Sequence, residues 1–282
     1  MTYMQMISEF APAKINLSLH LVGQKSDGYH LLDSIVSFVN IGDKISIEPG
    51  KSGELKVAGP FAKDLPRSNH NLVLKAAHLF NNIKFSRITL EKNIPVTSGI
   101  GGGSADAAAT VRLFSKFYNK PELPVEKLIS LGSDVPVCME KGIVRMMGVG
   151  DEIINLSPAP KVGILLVNPR KALSTAKVFS AVKEKNNSGL NLQGSGEKSL
   201  NSWFDWINSM RNDLTASAID LIPDIRFILD KLITCEGAKV IRMSGSGATC
   251  FALFEDFDLL QDAKLKILKE CPSFWCESGE LI

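Results

Sequence analysis

The glycine-rich stretch between Ile94 and Ala109 constrains this chain more than any other feature. Four of the five positions from Gly99 to Gly103 are glycine. A backbone without Cβ atoms can adopt positive φ and lie directly against a ligand, with successive N–H groups pointing at an anion. The alanine-rich continuation predicts a helix from Ser104 to about Tyr118, whose N-terminus carries about half a positive charge. The stretch is therefore interpreted as a phosphate-binding loop.

Two common phosphate loops do not match this stretch. A Walker A loop places Lys and then Ser or Thr after its last glycine, whereas Gly103 is followed by Ser104 and Ala105. A dinucleotide fingerprint that begins at Gly99 requires glycine at position 104. A flexible glycine linker is the remaining alternative, and it is disfavoured because a helix follows at once. The lysine needed near phosphate must come from elsewhere in the chain.

Composition bounds the class of protein. The 282 residues are 45% hydrophobic, enough for one large domain or two medium ones. A net charge of +2 and a pI near 8.2 give no support for nucleic acid binding. No apolar run approaches the ~20 residues of a membrane span, and the N-terminus lacks signal-peptide features. We expect a cytoplasmic protein without membrane or nucleic acid partners.

The cysteines and histidines suggest no metal centre. The five cysteines are odd in number and contain no Cys-x-x-Cys pair, and the four histidines are dispersed. We therefore predict no protein metal site and reduced, buried thiols.

The alternation from Ala13 to Val22 predicts a half-buried strand. Lys14 and Asn16 fall on its polar face, and from this strand alone a solvated face is the favoured interpretation. Later ranges read as strands or helices by the same criteria. Strands are expected at 31–39, 44–48, 55–57, 86–91, 142–147, 151–156, 161–167, 240–243, 249–254 and 274–276, and helices at 71–81, 125–131, 174–185, 223–234 and 256–270.

Three further stretches bear on organisation and chemistry. Asp134 lies in an apolar context between a glycine and a proline, so it is either a helix cap or a partly desolvated base. The Pro-rich run 157–160 is a plausible domain boundary, which predicts domains 1–158 and 159–282. The polar stretch 186–199 is expected to be a mobile surface loop.

Three motifs now occur in a fixed order: Pro12-Ala13-Lys14-Ile15-Asn16-Leu17, the glycine-rich loop, and Met243-Ser244-Gly245-Ser246-Gly247-Ala248. Together they resemble the GHMP small-molecule kinases. With Asp27-Gly28-Tyr29-His30 and Gly132-Ser133-Asp134-Val135-Pro136, the chain is similar to those members that act on 4-diphosphocytidyl-2-C-methyl-D-erythritol in the non-mevalonate isoprenoid pathway. The likeness runs from about residue 8 to residue 270.

This resemblance implies a fold and an activity. The fold is a two-domain α/β (α+β) architecture with an S5-like N-terminal domain and a ferredoxin-like C-terminal domain. The activity is transfer of the γ-phosphoryl group of ATP, with Mg²⁺, to the 2-hydroxyl of 4-diphosphocytidyl-2-C-methyl-D-erythritol. Alternatives are another GHMP kinase, acting on homoserine, mevalonate or a sugar, and a non-catalytic nucleotide-binding or S5-like RNA-binding protein.

The resemblance also assigns residues. Lys14 and Asp134 are implied to be catalytic. Asp134 takes the proton of the substrate hydroxyl, and Lys14 keeps the carboxylate of Asp134 ionised. Asn16, Tyr29, His30, Thr175 and Phe179 are implied to bind the substrate, with His30 at the cytosine edge and the rings of Tyr29 and Phe179 against its faces. Core packing remains an alternative for Phe179. The implied ATP-binding residues are Pro95, Val96, Thr97, Ser98, Gly99, Ile100, Gly101, Gly102, Gly103, Ser104 and Ala105.

Overall fold

The computed structural model describes residues 6–50, 54–65, 71–80, 86–192 and 199–282. The strands are β1 Ile7–Asn16, β2 His20–Gln24, β3 His30–Pro49, β4 Leu55–Ala58, β5 Ser86–Glu91, β6 Ile143–Gly148, β7 Glu152–Ser157, β8 Gly163–Asn168, β9 Ala238–Met243, β10 Cys250–Phe254 and β11 Trp275–Glu280. The α-helices are α1 Leu72–His78, α2 Gly102–Tyr118, α3 Val125–Leu131, α4 Thr175–Ala181, α5 Leu200–Asn208, α6 Thr215–Leu221, α7 Asp224–Ile233 and α8 Phe257–Glu270.

The chain divides into two compact units. Unit 1 comprises Met1–Ala13, Gly42–Val96 and Gly101–Glu140, and unit 2 comprises Lys14–Ile41, Thr97–Ile100 and Lys141–Ile282. The chain passes between the units several times, so neither unit is a continuous segment. The sequence boundary at 158–159 stays a prediction.

Unit 1 combines the strands β4, β5 and the second half of β3 with helix α2, which packs against α1. The second half of β3 pairs antiparallel with β5, from Lys44 opposite Glu91 to Pro49 opposite Ser86. β4 lies parallel to β5 on its other side. The interior side of α2 is rich in alanine and also buries Val111, Leu113 and Phe114. Small side chains let the backbone of a helix approach its neighbours closely, and in α2 they follow directly after the glycines.

Unit 2 contains a four-stranded antiparallel sheet in the order β11-β8-β10-β9. Its succession β8, helices, β9, β10, α8, β11 is the β-α-β-β-α-β pattern of ferredoxin-like folds. The apolar faces of α7 and α8 cover this sheet, with Ile228, Leu232 and Ile267 among the buried residues. In the same unit, β6 and β7 form an antiparallel hairpin.

Most predicted elements are confirmed, with shifted ends. β5, α3, α7, α8 and the β6–β7 hairpin lie where periodicity places them. The strands expected at 31–39 and 44–48 are one continuous strand, β3. α2 begins at Gly102, two residues before the expected start, and α4 ends at Ala181 rather than near Lys185. α5 and α6 were not predicted. Part of the expected loop 186–199, residues 193–198, lies outside the described residues.

The expectation for residues 13–22 is wrong in two respects. The strand is interrupted, with β1 ending at Asn16 and β2 starting at His20. Its polar side chains are buried rather than solvated: Lys14 is 4% exposed and Asn16 1%. Buried polar groups are tolerated where they find partners. The Nδ2 of Asn16 donates to Ser34 Oγ at 2.9 Å, and Ser18 Oγ accepts from the backbone N–H of Ile35 at 3.1 Å.

Two expectations about surfaces can be compared with the structure. None of the described helices is both long and apolar enough to cross a bilayer. All five cysteines are free thiols and buried. Burial raises the pKa of Cys276 to about 12 and also raises that of Cys250.

Candidate functional site

The glycine-rich segment is an irregular stretch followed by a helix. Residues 95–100 form turns and bends, Gly101 is the N-cap of α2, and Gly102–Ala105 make the first turn of the helix. Gly101 has φ +65°. Among the described residues, no side chain accepts a hydrogen bond from the first N–H groups of the helix as a cap. The first N–H groups of a helix lack intrahelical acceptors, so this turn offers donors to an anion.

Within unit 2, Ser244 of the motif Met243–Ala248 and the nearby Thr249 hydrogen-bond to residues 98 and 99. Ser244 Oγ donates to the carbonyl of Gly99 at 3.0 Å, and Thr249 Oγ1 donates to that of Ser98 at 2.6 Å. Gly99 has φ +75°, and a Cβ there would stand 2.5 Å from the carbonyl oxygen of Gly247. Such a contact is forbidden for a real side chain, so glycine is required.

Lys14 and Asn16 are hydrogen-bonded to the glycine-rich segment and to the same motif, respectively. The N–H of Lys14 donates to the carbonyl of Ile100 at 2.9 Å, and the N–H of Asn16 donates to Ser244 Oγ at 3.1 Å. Asn16 Oδ1 is buried and, among the described residues, accepts no hydrogen bond. An unpaired buried amide oxygen lowers the stability of the folded state. A hydrogen-bond donor on a bound ligand would satisfy this oxygen.

Asp134 lies in unit 1, in the turn between α3 and a short 3₁₀ helix at Val137–Met139. It is half-buried, and its carbonyl accepts from the N–H of Cys138 at 3.3 Å. The N-cap of that 3₁₀ helix is Pro136, two residues beyond Asp134. Lys14 belongs to unit 2 and Asp134 to unit 1.

Arg112, which the sequence did not single out, holds the turn of Asp134 to α2. Its Nη1 donates to the carbonyl of Cys138 at 2.9 Å, and its Nε pairs with Glu9 Oε1 at 2.8 Å. An Arg on a helix face in an apolar sequence context reads as solvated, so no local signal identified it.

Two of the proposed base-binding residues, His30 and Phe179, lie against each other in unit 2. The rings of His30 and Phe179 are 5.0 Å apart between centroids and inclined by 34°. Tyr29 is 65% exposed, so its ring is available to a ligand, whereas Phe179 is half-buried and packs at the edge of the core. Thr175 Oγ1 is 2.9 Å from Ser246 Oγ, which joins α4 to the Met243–Ala248 motif.

The electrostatics of His30 suit recognition of a neutral ring edge. Burial, together with the charge of Lys185, lowers its pKa below the ordinary 6.5, so the ring is neutral at physiological pH. Its Nδ1 is buried and has no partner among the described side chains and backbone. A neutral imidazole offers one donor and one acceptor, as a base edge requires.

Sequence reasoning missed three other supports. Asn212 Nδ2 donates to the carbonyls of Met243 and Gly245, at 2.7 and 2.9 Å, and so fixes the turn that braces Gly99. Asp33 forms a two-pronged ion pair with Arg145, with both N–O distances 2.8 Å. These partners are distant in sequence, and no spacing pattern connects them.

The third missed support is a buried ion cluster in unit 1, formed by Lys92, Asp43 and Asp106 and named here the Lys92 cluster. Lys92 Nζ donates to Asp106 Oδ2 at 2.8 Å and to Asp43 Oδ2. Across the described chain, no group of three or more His, Cys, Asp or Glu side chains could hold a metal ion. A divalent cation in such a site would depend on oxygens of a bound phosphate.

Comparisons with known proteins identify the family of this chain. The sequence model of the GHMP kinases N terminal domain matches residues 71–148, and that of the GHMP kinases C terminal matches residues 191–273. The 4-diphosphocytidyl-2-C-methyl-D-erythritol kinase of Paracoccus denitrificans is 44% identical over 273 residues, 97% of this chain and 96% of that protein. The enzyme of the same name from Roseobacter denitrificans is 40% identical over 281 residues, 98% of this chain and 94% of its own length.

A solved structure extends the likeness to three dimensions. The crystal structure of a 4-(cytidine 5'-diphospho)-2C-methyl-D-erythritol kinase superposes with a TM-score of 0.80 at 27% identity, covering 98% of this chain and 99% of that one. The fold expected from the sequence, a two-domain GHMP kinase fold, is confirmed. Sequence, family models and structure together establish that this chain belongs to the 4-diphosphocytidyl-2-C-methyl-D-erythritol kinase family of the GHMP kinases.

Proposed function

We propose that the protein transfers the γ-phosphoryl group of ATP to the 2-hydroxyl of 4-diphosphocytidyl-2-C-methyl-D-erythritol, giving the 2-phosphate and ADP. The observation that carries the proposal is the glycine-rich backbone 98–105. Side chains hold the carbonyls of Ser98 and Gly99, and the backbone continues into the first turn of α2, where the described residues provide no side-chain cap. The relatives named 4-diphosphocytidyl-2-C-methyl-D-erythritol kinase align with almost the whole chain.

The glycine-rich segment suits the polyphosphate of ATP. The N–H groups of the first turn of α2 point along the helix axis and carry partial positive charge. The residues proposed to hold ATP are Pro95 to Ala105, and Mg²⁺ would be carried on the phosphate oxygens. When bound, ATP supplies the phosphoryl group and Mg²⁺ neutralises part of its charge.

Asp134 and Lys14 are the proposed catalytic residues. The carboxylate of Asp134 aligns the 2-hydroxyl and accepts its proton as the oxygen bonds to phosphorus. Lys14 brings an ammonium group on a strand whose backbone N–H is hydrogen-bonded to the carbonyl of Ile100 in the loop. A cation held in a poorly solvated place stabilises negative charge that develops on the transferred group.

Recognition of cytosine is assigned to Tyr29, His30 and Phe179. The neutral His30 can hydrogen-bond the base edge, and the two rings can cover its faces. Asn16, whose Oδ1 lacks a partner among the described residues, and Thr175 are proposed to contact the rest of the substrate.

The test is a comparison of alcohol acceptors. ADP release would be measured with 4-diphosphocytidyl-2-C-methyl-D-erythritol, methylerythritol phosphate, homoserine and mevalonate. We expect turnover with the cytidine-bearing alcohol and a much lower kcat/KM with methylerythritol phosphate, which lacks the nucleotide. Equal kcat/KM for those two would refute the cytosine site, and turnover of homoserine or mevalonate alone would move the chain to another GHMP activity.

A further inference from the structure

The Lys92 cluster lies directly beneath the first residue of α2. Lys92 is 2% exposed, and its Nζ donates to both Asp106 and Asp43. A Cβ on Gly102 would stand 3.1 Å from this Nζ. The buried ammonium group therefore occupies the space beside Gly102 that a side chain there would need, next to the backbone that is proposed to hold the polyphosphate.

The two carboxylates of the cluster differ in their partners. Asp43 Oδ1 accepts from the N–H groups of Asn93 and Ile94, at 2.5 and 3.1 Å, so both of its oxygens are paired. Asp106 is 3% exposed, and its Oδ1 is buried with no partner in the described part of the chain. An ionised carboxylate with an unpaired buried oxygen is costly, whereas a protonated one is much less so. The geometry thus makes Asp106 the member that accepts a proton.

The charges around Asp106 agree with this assignment. Burial raises its pKa, Lys92 lowers it and Asp43 raises it further, which brings the pKa to about 7. The other charged groups of α2 are Arg112 and Lys116, which lie farther along the helix and are both paired with Glu9 of β1. Asp106 therefore changes charge near neutral pH. The cluster carries one net negative charge when both acids are ionised and no net charge when Asp106 is protonated.

We propose that Asp106 is a positioning residue that takes up a proton when nucleotide binds, so that the Lys92 cluster is neutral beneath the bound polyphosphate. The inference rests on the proposed binding of ATP at segment 95–105. Polyphosphate and an ionised Asp106 repel each other through a poorly solvated region, so binding favours the protonated acid. By linkage, wild-type affinity for ATP falls as Asp106 loses its proton at higher pH.

The experiment measures proton uptake on nucleotide binding. Mg²⁺-ATP is titrated calorimetrically into wild type, Asp106→Asn and Glu126→Gln, each in two buffers of different ionisation enthalpy, between pH 6.5 and 8.5. Glu126 is an exposed acid of α3 and serves as the matched control. Protonation of ATP itself is common to all three proteins and cancels in the comparison.

We expect wild type and Glu126→Gln to take up more protons than Asp106→Asn, with the greatest difference near pH 7.5. Their affinity should fall about fivefold more than that of Asp106→Asn over the pH range, since one pKa unit of coupling corresponds to a tenfold change. Identical proton uptake and pH dependence in wild type and Asp106→Asn would overturn the inference while leaving the proposed function intact. Absence of ATP binding by wild type at every pH would instead overturn the proposed function.

A second measurement applies if Asp106→Asn does not fold. Infrared difference spectra of wild type labelled with ¹³C-aspartate are recorded before and after addition of Mg²⁺-ATP at pH 8. We expect a gain in the carbonyl band of a protonated aspartic acid. No such gain, with nucleotide demonstrably bound, would overturn the inference.

Discussion

Arg112 Nη1 donates to the carbonyl oxygen of Cys138 at 2.9 Å and thereby fixes the far end of the turn that begins at Asp134. The same guanidinium group pairs with Glu9 through Nε. One side chain of α2 thus connects the helix that starts at the glycine-rich segment to strand β1 and to the turn of the proposed base. A base must be held within about 0.5 Å of its productive position, so this connection bears on catalysis.

Replacing Arg112 should separate placement of the base from nucleotide binding. Arg112→Met should lower kcat about tenfold and leave KM for ATP within about twofold, because the first turn of α2 does not depend on this side chain. It should also cost about 2 kcal/mol of unfolding free energy in urea titrations, because the carbonyl of Cys138 and the carboxylate of Glu9 lose a donor. Loss of ATP affinity equal to the loss of kcat would contradict the positioning role.

Asp134→Asn should abolish turnover while nucleotide binding is retained. We expect kcat to fall roughly 10²-fold or more, because an amide cannot accept the hydroxyl proton. ATP affinity, measured by calorimetry, should stay near the wild-type value. Lys14→Met, which keeps the bulk of the side chain, should lower kcat similarly if its charge is what matters. Near-wild-type kcat in folded Asp134→Asn would eliminate it as the base.

Glycine positions in the first turn of α2 should differ in tolerance. A side chain on Gly102 would meet Ile94 Cδ1 at 3.0 Å and Lys92 Nζ at 3.1 Å, whereas on Gly103 the nearest atom, Leu72 Cδ1, is 3.5 Å away. Gly102→Val should therefore weaken ATP binding at least about tenfold with native circular dichroism. Gly103→Ala is the matched control and should keep its fold and gain up to about 1 kcal/mol of helix stability. Unchanged ATP affinity in Gly102→Val would show that the polyphosphate lies elsewhere.

The aromatic pair should act on the acceptor substrate alone. Tyr29→Ala and Phe179→Ala should each raise KM for the cytidine-bearing alcohol by roughly tenfold, since stacking on a base contributes about 1 to 3 kcal/mol. KM for ATP should not change. Phe179 also packs against the core, so urea unfolding of Phe179→Ala must be measured beside its kinetics. A stability loss with unaltered KM would assign Phe179 to packing.

The pair between Asp33 and Arg145 should make unit 2 sensitive to acid. Burial acts to raise the pKa of Asp33, but the bonds from Arg145 and from the N–H of Leu190 lower it below the ordinary 3.8. A carboxylate whose pKa is lowered on folding contributes stability above its unfolded pKa, and this contribution disappears as pH falls below about 4. Asp33→Asn should cost about 2 kcal/mol at pH 7 and progressively less as pH falls below about 4, measured by urea unfolding. Asp220→Asn, at an exposed site on α6, is the control and should show neither effect.

Sequence patterns predicted the elements whose causes are local. The alanine run after Gly103 and the apolar spacing from Ile225 to Leu232 specify α2 and α7, and both are present. The polar face of residues 14–20 was misjudged because its partners, such as Ser34, come from another strand. Alternation in a sequence shows which side chains share a face, but it does not show what covers that face.

The candidate site was predictable to a similar degree. The glycine-rich segment is identified by its composition and the Met243–Ala248 motif by its resemblance to GHMP kinases. The structure brings Ser98 and Gly99 against Ser244 and Thr249. The Lys92 cluster could not be found this way. Lys92 is 49 residues from Asp43 and 14 from Asp106, and charges at strand ends are ordinarily solvated.

The reactivity of the buried thiols reports local unfolding of the folded chain. Cys138 lies in unit 1, and Cys235, Cys250, Cys271 and Cys276 lie in unit 2. A thiol reacts as its thiolate, so burial makes all five thiols unreactive while their surroundings stay closed, and the raised pKa of the four in unit 2 adds to this effect. The alkylation rate of each cysteine therefore measures how often its neighbourhood unfolds, and mass spectrometry of the modified peptides would read the local opening free energies of both units from one unmutated protein.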